Sequence, residues 1–413
     1  MTLYGHGRAA ILGDPITAER LGWGPRPAAL PTPEIVLEPR SGDPRREPWV
    51  APPGWTPQPG CAGLWQPPAA GERWSFLASA PGVLRYLEHL ARPVPEDGVV
   101  VAIAGLGRVG GVAATHLAAT PTRVSGVREL LVYDVDGANL ERWFLELSSI
   151  AVWREHELLP RVRLTSPEQL FNECDLFLFV ATTGVPPLGT TGDVRLVQLA
   201  PNRALLKGFL EQARAANFPG LFLVVSDPVD WLAQAAFVDS NSDGAGHFTG
   251  TGLAPERIAG LGLGVMWGRA LAAARREGWQ AQVAARGAAF GPHSTEVLAF
   301  DDLDRPSLQR SEVLTRAARE WNYLVRGLGF LPYVGPGVSS VGLTLPRLLS
   351  GAEFPASVFL DGLYFGCPAR GPEALLPAGR PSAADVQRAV ADLYQRLMQQ
   401  AAELNLLFRG YLV

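Results

Sequence analysis

The stretch VVVAIAGLGRVGGVAATHL, residues 99–117, decides the fold. Its first six residues form an apolar run typical of a buried strand, and its last residues suit a helix. Between them, Gly105, Gly107 and Gly110 match the pattern G-x-G-x-x-G. The first glycine allows a tight turn, the second lets a ligand approach the backbone, and the third lets the helix lie close to the strand. The start of the helix also offers N–H groups to phosphates, so the stretch predicts a dinucleotide-binding turn.

A carboxylate ends the next predicted strand. Residues 130–133 are apolar, and Asp134 follows them. A carboxylate at this position accepts hydrogen bonds from the ribose hydroxyls of NAD and repels the additional phosphate of NADP. With 45 glycines in 413 residues, a chance match to the glycine pattern is easy, but the flanking strand, helix and acid make it specific. We therefore predict NAD as the cofactor, with Arg108 and Val109 at the start of the helix among its contacts.

Composition favours an ordinary soluble protein. The chain is 47% hydrophobic and 18% charged, and its length suits about two domains with additional material. A net charge of −4 gives no basic footprint for nucleic acid, and there is neither an apolar run of ~20 residues nor a secretion signal. Cys61, Cys174 and Cys367 are scattered without metal-ligand spacing and are expected to be reduced thiols. We expect a cytoplasmic protein with no metal site and no nucleic-acid or membrane partner.

The first 97 residues differ in character from the rest. They hold nearly half of the 36 prolines, a density that prevents long helices and central strands. Low-complexity disorder is one interpretation, but disordered segments are poor in aromatic residues. We predict an irregular Pro/Trp-rich extension, residues 1–97, that packs over the main body or over a partner subunit. Its aromatic anchors are Trp23, Trp49, Trp55, Trp65 and Trp74.

From residue 98 onward, strand and helix patterns alternate. Short apolar runs cover residues 176–180 and 221–225, and residues 204–216 between them suit a helix. Such alternation is typical of an α/β fold, in which crossover helices join the strands of a parallel sheet. Near the end of the chain, residues 382–407 place apolar side chains on one face and predict a terminal helix.

Further segments match the motifs of one family in order. They are residues 140–147 after the acidic strand end, 181–184 before a mobile loop, 192–202 in and beyond that loop, 226–230 (SDPVD, against Ser-Asn-Pro-Val-Asp), 257–269, 291–293 (GPH, against Gly-Glu-His) and 354–364. Over residues 98–405 this order resembles that of the NAD-dependent lactate and malate dehydrogenases.

The resemblance implies a Rossmann-type parallel-sheet domain, residues 98–230, followed by an α+β substrate domain, residues 231–413. It implies hydride transfer between nicotinamide and a 2-oxo or 2-hydroxy acid, by a homodimer or homotetramer. Such chemistry needs a proton donor beside the carbonyl oxygen, a cation that polarises the carbonyl and a second cation for the carboxylate.

Three side chains take these roles in the resemblance. His293 is the acid and base, Arg195 polarises the carbonyl from a mobile lid, and Arg269 clamps the carboxylate. Without that context, a histidine after Gly-Pro is more often a surface loop residue, and Arg269 could be a charge on a helix surface. The remaining predicted contacts are Asn202 and Gly337 for the substrate, Thr183 and Gly184 for the cofactor, and Asp227 for cofactor binding and catalysis.

Three departures separate the chain from the family's pattern. Met266 stands where the family has the aspartate that pairs with the histidine, so we expect a looser imidazole that favours its neutral form. Asp227 stands where the family has an asparagine; it could be a displaced partner of His293, a contact for a cationic substrate group or a sign of a decayed site. The lid, residues 185–191, is longer than in the family and has Gly189 at the specificity position. We therefore predict a roomier pocket than lactate or malate requires.

Two functional hypotheses follow. The first is an NAD-dependent oxidoreductase that acts on a bulkier or amine-bearing 2-oxo acid, because the histidine and both arginines are retained together. The second is a catalytically decayed homologue that binds a nucleotide and has a structural or regulatory role, because Met266 replaces an aspartate of the family's pattern and Asp227 replaces an asparagine. Turnover of NADH with 2-oxo acids would distinguish the first from the second.

Overall fold

The structure, a computed structural model of the chain, describes residues 95, 97–152, 158–184, 187, 195–249, 251–360, 362–372, 375–378 and 381–408. Before residue 95 it describes only the backbone of short strands, at Leu3–His6, Ala9–Leu12, Ile35–Leu37, Thr56–Pro57 and Trp65–Gln66. The predicted packing of the extension by its tryptophan side chains therefore lies outside the described residues.

A parallel sheet forms the first half of the described chain. Its strands lie in the order β3-β2-β1-β4-β5-β6, which is the order of dinucleotide-binding folds. In such a sheet a crevice opens where the chain changes direction between β1 and β4, beyond the carboxyl ends of the strands. The strands are β1 (Val99–Ala104), β2 (Val127–Tyr133), β3 (Arg161–Leu164), β4 (Leu176–Phe179), β5 (Leu221–Val224) and β6 (Ile258–Gly260).

The second half of the chain extends this sheet in the antiparallel direction. A hairpin of β7 (Ala288–Phe290) and β8 (Leu298–Phe300) lies apart from it, and the loop of that hairpin carries His293. Then β9 (Phe354–Leu360) pairs with β6, and β10 (Leu363–Arg370) and β11 (Leu376–Pro377) follow outward. The sheet of the described residues thus has nine strands and continues past residue 230, where the predicted domain boundary stays a prediction. The predicted fold class, a Rossmann-type sheet followed by an α+β region, is confirmed.

Helices cover both faces of the sheet, which explains why β1 and β4 are buried along their whole length. The predicted helices at 204–216 and 382–407 correspond to α5 and α12 below. In the described part of the chain, no helix combines the length and apolarity needed to cross a bilayer. The helices are α1 (Arg108–Ala118), α2 (Thr122–Ser125), α3 (Gly137–Ser148), α4 (Pro167–Glu173), α5 (Leu199–Ala215), α6 (Val229–Ser240), α7 (Leu263–Arg276), α8 (Gln280–Arg286), α9 (Leu308–Gly327), α10 (Val334–Gly337), α11 (Thr344–Leu349) and α12 (Ala384–Glu403).

Aromatic rings fix α4 on the sheet. Phe171 of α4 lies 4.8 Å from Phe177 of β4, measured between ring centroids, and Phe177 lies 4.8 Å from Phe222 of β5. All three side chains are buried. Tilted contacts of this kind add to the stability gained by burial of apolar area. They hold β4 and β5 in place, and the loops that follow these two strands carry Thr183 and Asp227.

The glycine turn between β1 and α1 has the geometry that its sequence predicts. Gly105 has φ of +99°, a backbone conformation that favours glycine. A Cβ atom on Gly110 would lie 1.9 Å from the carbonyl oxygen of Gly105, so a larger residue would push α1 away from the turn. A Cβ atom on Gly107, in contrast, would meet no protein atom within 4 Å. The turn therefore needs its first and third glycines for its own shape, and it leaves open space beside the second.

Two single substitutions test this division. We expect Gly110→Ala to lower the free energy of unfolding by at least about 2 kcal/mol, because the added methyl group collides with backbone. Gly107→Ala is the matched control and is expected to stay within about 1 kcal/mol of the unmodified protein. Urea unfolding followed by far-UV circular dichroism measures both. Equal stability of the two variants would contradict the close contact between the turn and α1.

Candidate active site

Asp134 accepts hydrogen bonds from the glycine turn and thereby stabilises it. Its Oδ2 accepts hydrogen bonds from the backbone N–H of Leu106 at 2.7 Å and from Asn139 Nδ2 at 3.2 Å, and its Oδ1 accepts from the N–H of Asp136 at 3.0 Å. A carboxylate has about four acceptor positions, so capacity remains for a ribose hydroxyl. The sequence analysis missed Asn139, which also donates to the carbonyl of Leu106 at 3.2 Å. These residues fit the adenosine ribose of a dinucleotide.

The imidazole of His293 is buried and held in one tautomer. Its Nδ1 lies 2.8 Å from the carbonyl oxygen of Gly262, and because a carbonyl can only accept, Nδ1 carries the proton. In the neutral ring the lone pair is then on Nε2. The backbone N–H of His293 donates to Asp230 Oδ2 at 2.7 Å, which fixes the loop as well as the ring. The expected loosening of the ring is therefore wrong, because the Gly262 carbonyl takes the place of a carboxylate partner.

Asp230 is a buried carboxylate that joins distant parts of the chain. Besides the N–H of His293, it accepts a hydrogen bond from the hydroxyl of Ser357 on β9. Burial raises the pKa of Asp230 to about 6, and the two donors offset part of that rise. The motif SDPVD gives no sign of this role of Asp230, because its partners are far away in the chain.

The charge state of His293 agrees with the expectation of a neutral ring. Burial, followed by the positive charges of Arg195 and Arg269, holds the pKa of His293 well below its usual range, and the Gly262 carbonyl offsets only part of this. At neutral pH the ring is therefore uncharged, and its Nε2 is a base.

Asp227 lies between the histidine and one of the arginines. Its Oδ1 is 3.7 Å from Nε2 of His293 and 3.9 Å from Nε of Arg195. The side chain of Asp227 is 34% exposed, whereas those of His293 and Arg195 are 6% and 9% exposed. The exposed part of Asp227 is not Oδ1, which is buried between the two groups, so the side chain reaches from the buried part of the site to its open part.

Arg269 and Met266 lie on one turn of α7. Met266 is buried in an apolar cluster with Leu263, Val265 and Val297, so no anion faces His293 from this position. The Nη1 atom of Arg269 lies 3.4 Å from Met266 Sδ and 3.4 Å from the carbonyl oxygen of Ala318. Burial, and then the charge of Arg195, lower the pKa of Arg269 to about 10. Two buried cations that repel each other form a favourable place for an anion.

A cavity of about 410 Å³ brings the predicted residues together. Its wall includes residues of the glycine turn together with Asp227 and His293. Arg269 instead lines a neighbouring cavity of about 520 Å³, and Leu331, Pro332 and Pro336 lie in the walls of both. The residues of the first cavity that the sequence analysis named as cofactor or catalytic contacts are Gly107, Arg108, Val109, Gly110, Gly184, Asp227 and His293.

Asn202 and Gly337 lie outside the wall of the His293 cavity. Asn202 is buried; its Oδ1 accepts from the N–H of Thr183 at 3.0 Å, and its Nδ2 donates to the carbonyl of Asp227 at 2.7 Å. It thus fastens two loops of the site to each other. A Cβ atom on Gly337 would lie 2.6 Å from Val112 of α1, so this glycine allows α10 to pack on α1. The predicted substrate contacts of both residues stay predictions.

Two residues of the cavity were missed, and one predicted segment cannot be placed. The hydroxyl of Ser340 is buried in the cavity wall, and its Oγ has no hydrogen-bond partner among the described residues. Gly262 was quoted in a motif without a role, although an added Cβ would lie 2.7 Å from Cβ of His293. Of the predicted lid, only Pro187 belongs to the described residues, and its carbonyl accepts from Arg326 at 3.0 Å. Gly189 lies outside them.

Comparison with known sequences gives weak similarity to one kind of protein. No family model matches the chain. L-lactate dehydrogenase 1 of Staphylococcus aureus strain MRSA252 is 28% identical over 165 residues, which are 39% of this chain and 44% of that protein. L-lactate dehydrogenase 1 of Listeria monocytogenes strain EGD-e is 28% identical over 113 residues, 26% of this chain and 31% of that protein. The chain thus spans less than half the length of these relatives.

Comparison with solved structures extends over most of the described chain. A minor L-lactate dehydrogenase from Enterococcus mundtii, solved with ligands, has a TM-score of 0.60 at 20% identity and covers 74% of this chain and 98% of its own. A malate dehydrogenase from Archaeoglobus fulgidus, solved in complex with NADH, has a TM-score of 0.60 at 17% identity. The match covers 74% of this chain and 99% of that one. The chain thus has the fold of the lactate and malate dehydrogenases.

Proposed function

We propose that this protein is an NAD-dependent oxidoreductase that transfers hydride between nicotinamide and an acid of the 2-oxo or 2-hydroxy class. The observation that carries the proposal is the position of His293. Its tautomer is fixed by Gly262, and His293 lines the cavity that the glycine turn also lines. A base beside a dinucleotide turn is the arrangement that hydride transfer at a hydroxyl-bearing carbon requires.

The chain's own residues fit NAD. The open space beside Gly107 leaves room for a pyrophosphate, and α1 begins at the next residue, so its first N–H groups face that space. Asp134 keeps an acceptor for the ribose hydroxyls. Bound NAD would accept or supply the hydride at its nicotinamide ring.

Two arginines would bind and orient the acid, and His293 would exchange the proton. Arg195 and Arg269 are buried and repel each other, and a substrate carboxylate would relieve that repulsion. Its arrival would also raise the pKa of His293, because it compensates the two cations that lower it. In the oxidation direction, the neutral Nε2 would take the proton of the substrate hydroxyl.

Asp227 argues for a substrate other than lactate or malate. A carboxylate 3.7 Å from Nε2 lies where simple 2-oxo acids would place an electron-rich oxygen, and like charges repel. A bulkier or amine-bearing acid suits this cavity better, since a donor group on the substrate would pair with Asp227. The proposal includes the domains 98–230 and 231–413, a homodimer or homotetramer and a cytoplasmic location, as the resemblance implies.

A catalytically decayed, nucleotide-binding homologue is the second candidate. It is favoured by Met266, which fills the family's aspartate position with an apolar side chain packed in the core. Such a protein would bind NADH and leave 2-oxo acids unchanged. Binding without turnover would therefore favour a structural or regulatory role.

Turnover is the direct test. We expect the unmodified protein to oxidise NADH, followed by absorbance at 340 nm, with at least one member of a panel of 2-oxo acids that vary in bulk and amine content. His293→Asn should lower kcat by about 100-fold or more, because the acid and base are lost, and should leave NADH binding intact. Arg388→Gln, on the exposed face of α12, is the control and should retain full activity. NADH binding without turnover across the panel would contradict the proposal.

The cofactor preference gives a second test. We expect NADH to bind at least about tenfold more tightly than NADPH, because Asp134 would face the additional phosphate of NADPH. Asp134→Ser should narrow that gap, and Gly107→Ala should weaken both cofactors while the fold stays intact. Fluorescence titration measures the affinity of each of the three proteins for NADH and for NADPH. Equal binding of NADH and NADPH by the unmodified protein would show that Asp134 does not contact the ribose.

A further inference from the structure

Three groups surround the point where the reacting atom of a substrate would lie: Asp227, Arg195 and His293. Arg195 is the cation that polarises a carbonyl in the proposed function, yet Asp227 Oδ1 lies 3.9 Å from its Nε and compensates its charge. Asp227 also lies 3.7 Å from Nε2 of His293. The reacting end of the site therefore combines one cation, one anion and a buried ring.

Reduction of a 2-oxo acid fits this combination poorly. Hydride addition to C2 moves the electron pair of the C=O bond onto oxygen, and that negative charge needs a proton or an uncompensated cation. The carboxylate of Asp227 repels it. In the site without substrate, burial and the two arginines also hold the pKa of His293 well below its usual range, so the ring starts without a proton on Nε2.

We propose that the substrate of this site is a 2-imino acid, in which a C=N–H group takes the place of the C=O group and its nitrogen faces Asp227. The inference rests on the proposed function, since it keeps hydride transfer from NADH and changes only the acceptor. An iminium nitrogen carries a positive charge and an N–H donor, and a carboxylate stabilises both. Asp227 lines the same cavity as His293, and its buried Oδ1 lies within 4 Å of both His293 and Arg195, where the reacting nitrogen of the substrate would lie.

The atoms and electrons balance without a further reactant. NADH gives a hydride to C2 and becomes NAD, and the electron pair of the C=N bond moves onto nitrogen. The nitrogen already holds its hydrogen, so the first product is a neutral secondary or primary amine, which takes a proton from water. Asp227 favours the protonated imine before the step, and His293 need not donate a proton during it.

A matched pair of substrates tests the inference. Δ1-pyrroline-2-carboxylate, a cyclic imine that persists in water, has the same carbon count as 2-oxopentanoate. We expect the unmodified protein to oxidise NADH with the imine at a kcat/KM at least about tenfold higher than with the oxo acid. Asp227→Asn should lower kcat/KM for the imine by about 10- to 100-fold and leave that for the oxo acid unchanged or raised. Asp385→Asn, an exposed carboxylate on α12, is the matched control and should change neither.

The possible results distinguish failure of the inference from failure of the proposed function. A protein that reduces the oxo acid as well as or better than the imine overturns the inference and leaves hydride transfer standing. An equal loss of both activities in Asp227→Asn, with NADH binding retained, also overturns it, because the carboxylate would then serve the site without choosing the substrate. Binding of NADH with no turnover of either compound overturns the inference and the proposed function together.

Discussion

The rest of the site depends on the buried carboxylate of Asp230, which connects three elements by hydrogen bonds. It lies at the start of α6, accepts the backbone N–H of His293 from the β7–β8 loop, and accepts the hydroxyl of Ser357 from β9. Burial alone would make such a carboxylate costly, and the rise of its pKa to about 6 reflects that cost. The two hydrogen bonds compensate it and thereby fix three elements of both halves of the chain. The hydrogen bond from its backbone N–H to Asp230 holds His293 beside the start of α6, which follows strand β5 of the parallel sheet.

A second constraint sets the chemistry of the histidine. A carbonyl, that of Gly262, accepts the hydrogen bond of Nδ1, and Met266 removes the carboxylate of the family's pattern from the neighbourhood. A neutral acceptor fixes the orientation of the ring but does little to stabilise its protonated form. The orientation of the ring and its charge therefore have different causes. The Gly262 carbonyl fixes the orientation, and burial together with the two arginines keeps the ring uncharged.

The anion of the site has moved to Asp227. In the family's pattern a carboxylate supports the histidine and an amide contacts the substrate, and in this chain the carboxylate is on the cavity wall. It lies within 4 Å of both Nε of Arg195 and Nε2 of His293, so it changes which charge can develop between them. The same residue is the basis of the proposal that a donor-bearing substrate suits the site better than an ordinary 2-oxo acid.

The sequence by itself determined the features that depend on neighbours in the chain. The positions of Gly105 and Gly110 follow from a turn that admits no side chain, and the alternation of apolar runs with helices implies the parallel sheet. Only the tertiary structure decided the rest. The partners of His293 and Asp230 are 31 to 127 residues away, and Gly337 packs on α1 rather than on the substrate cavity. Backbone preferences depend on a few neighbouring residues and can therefore be predicted from short stretches of sequence. The surroundings of a charge depend on which distant elements the packed core brings next to it.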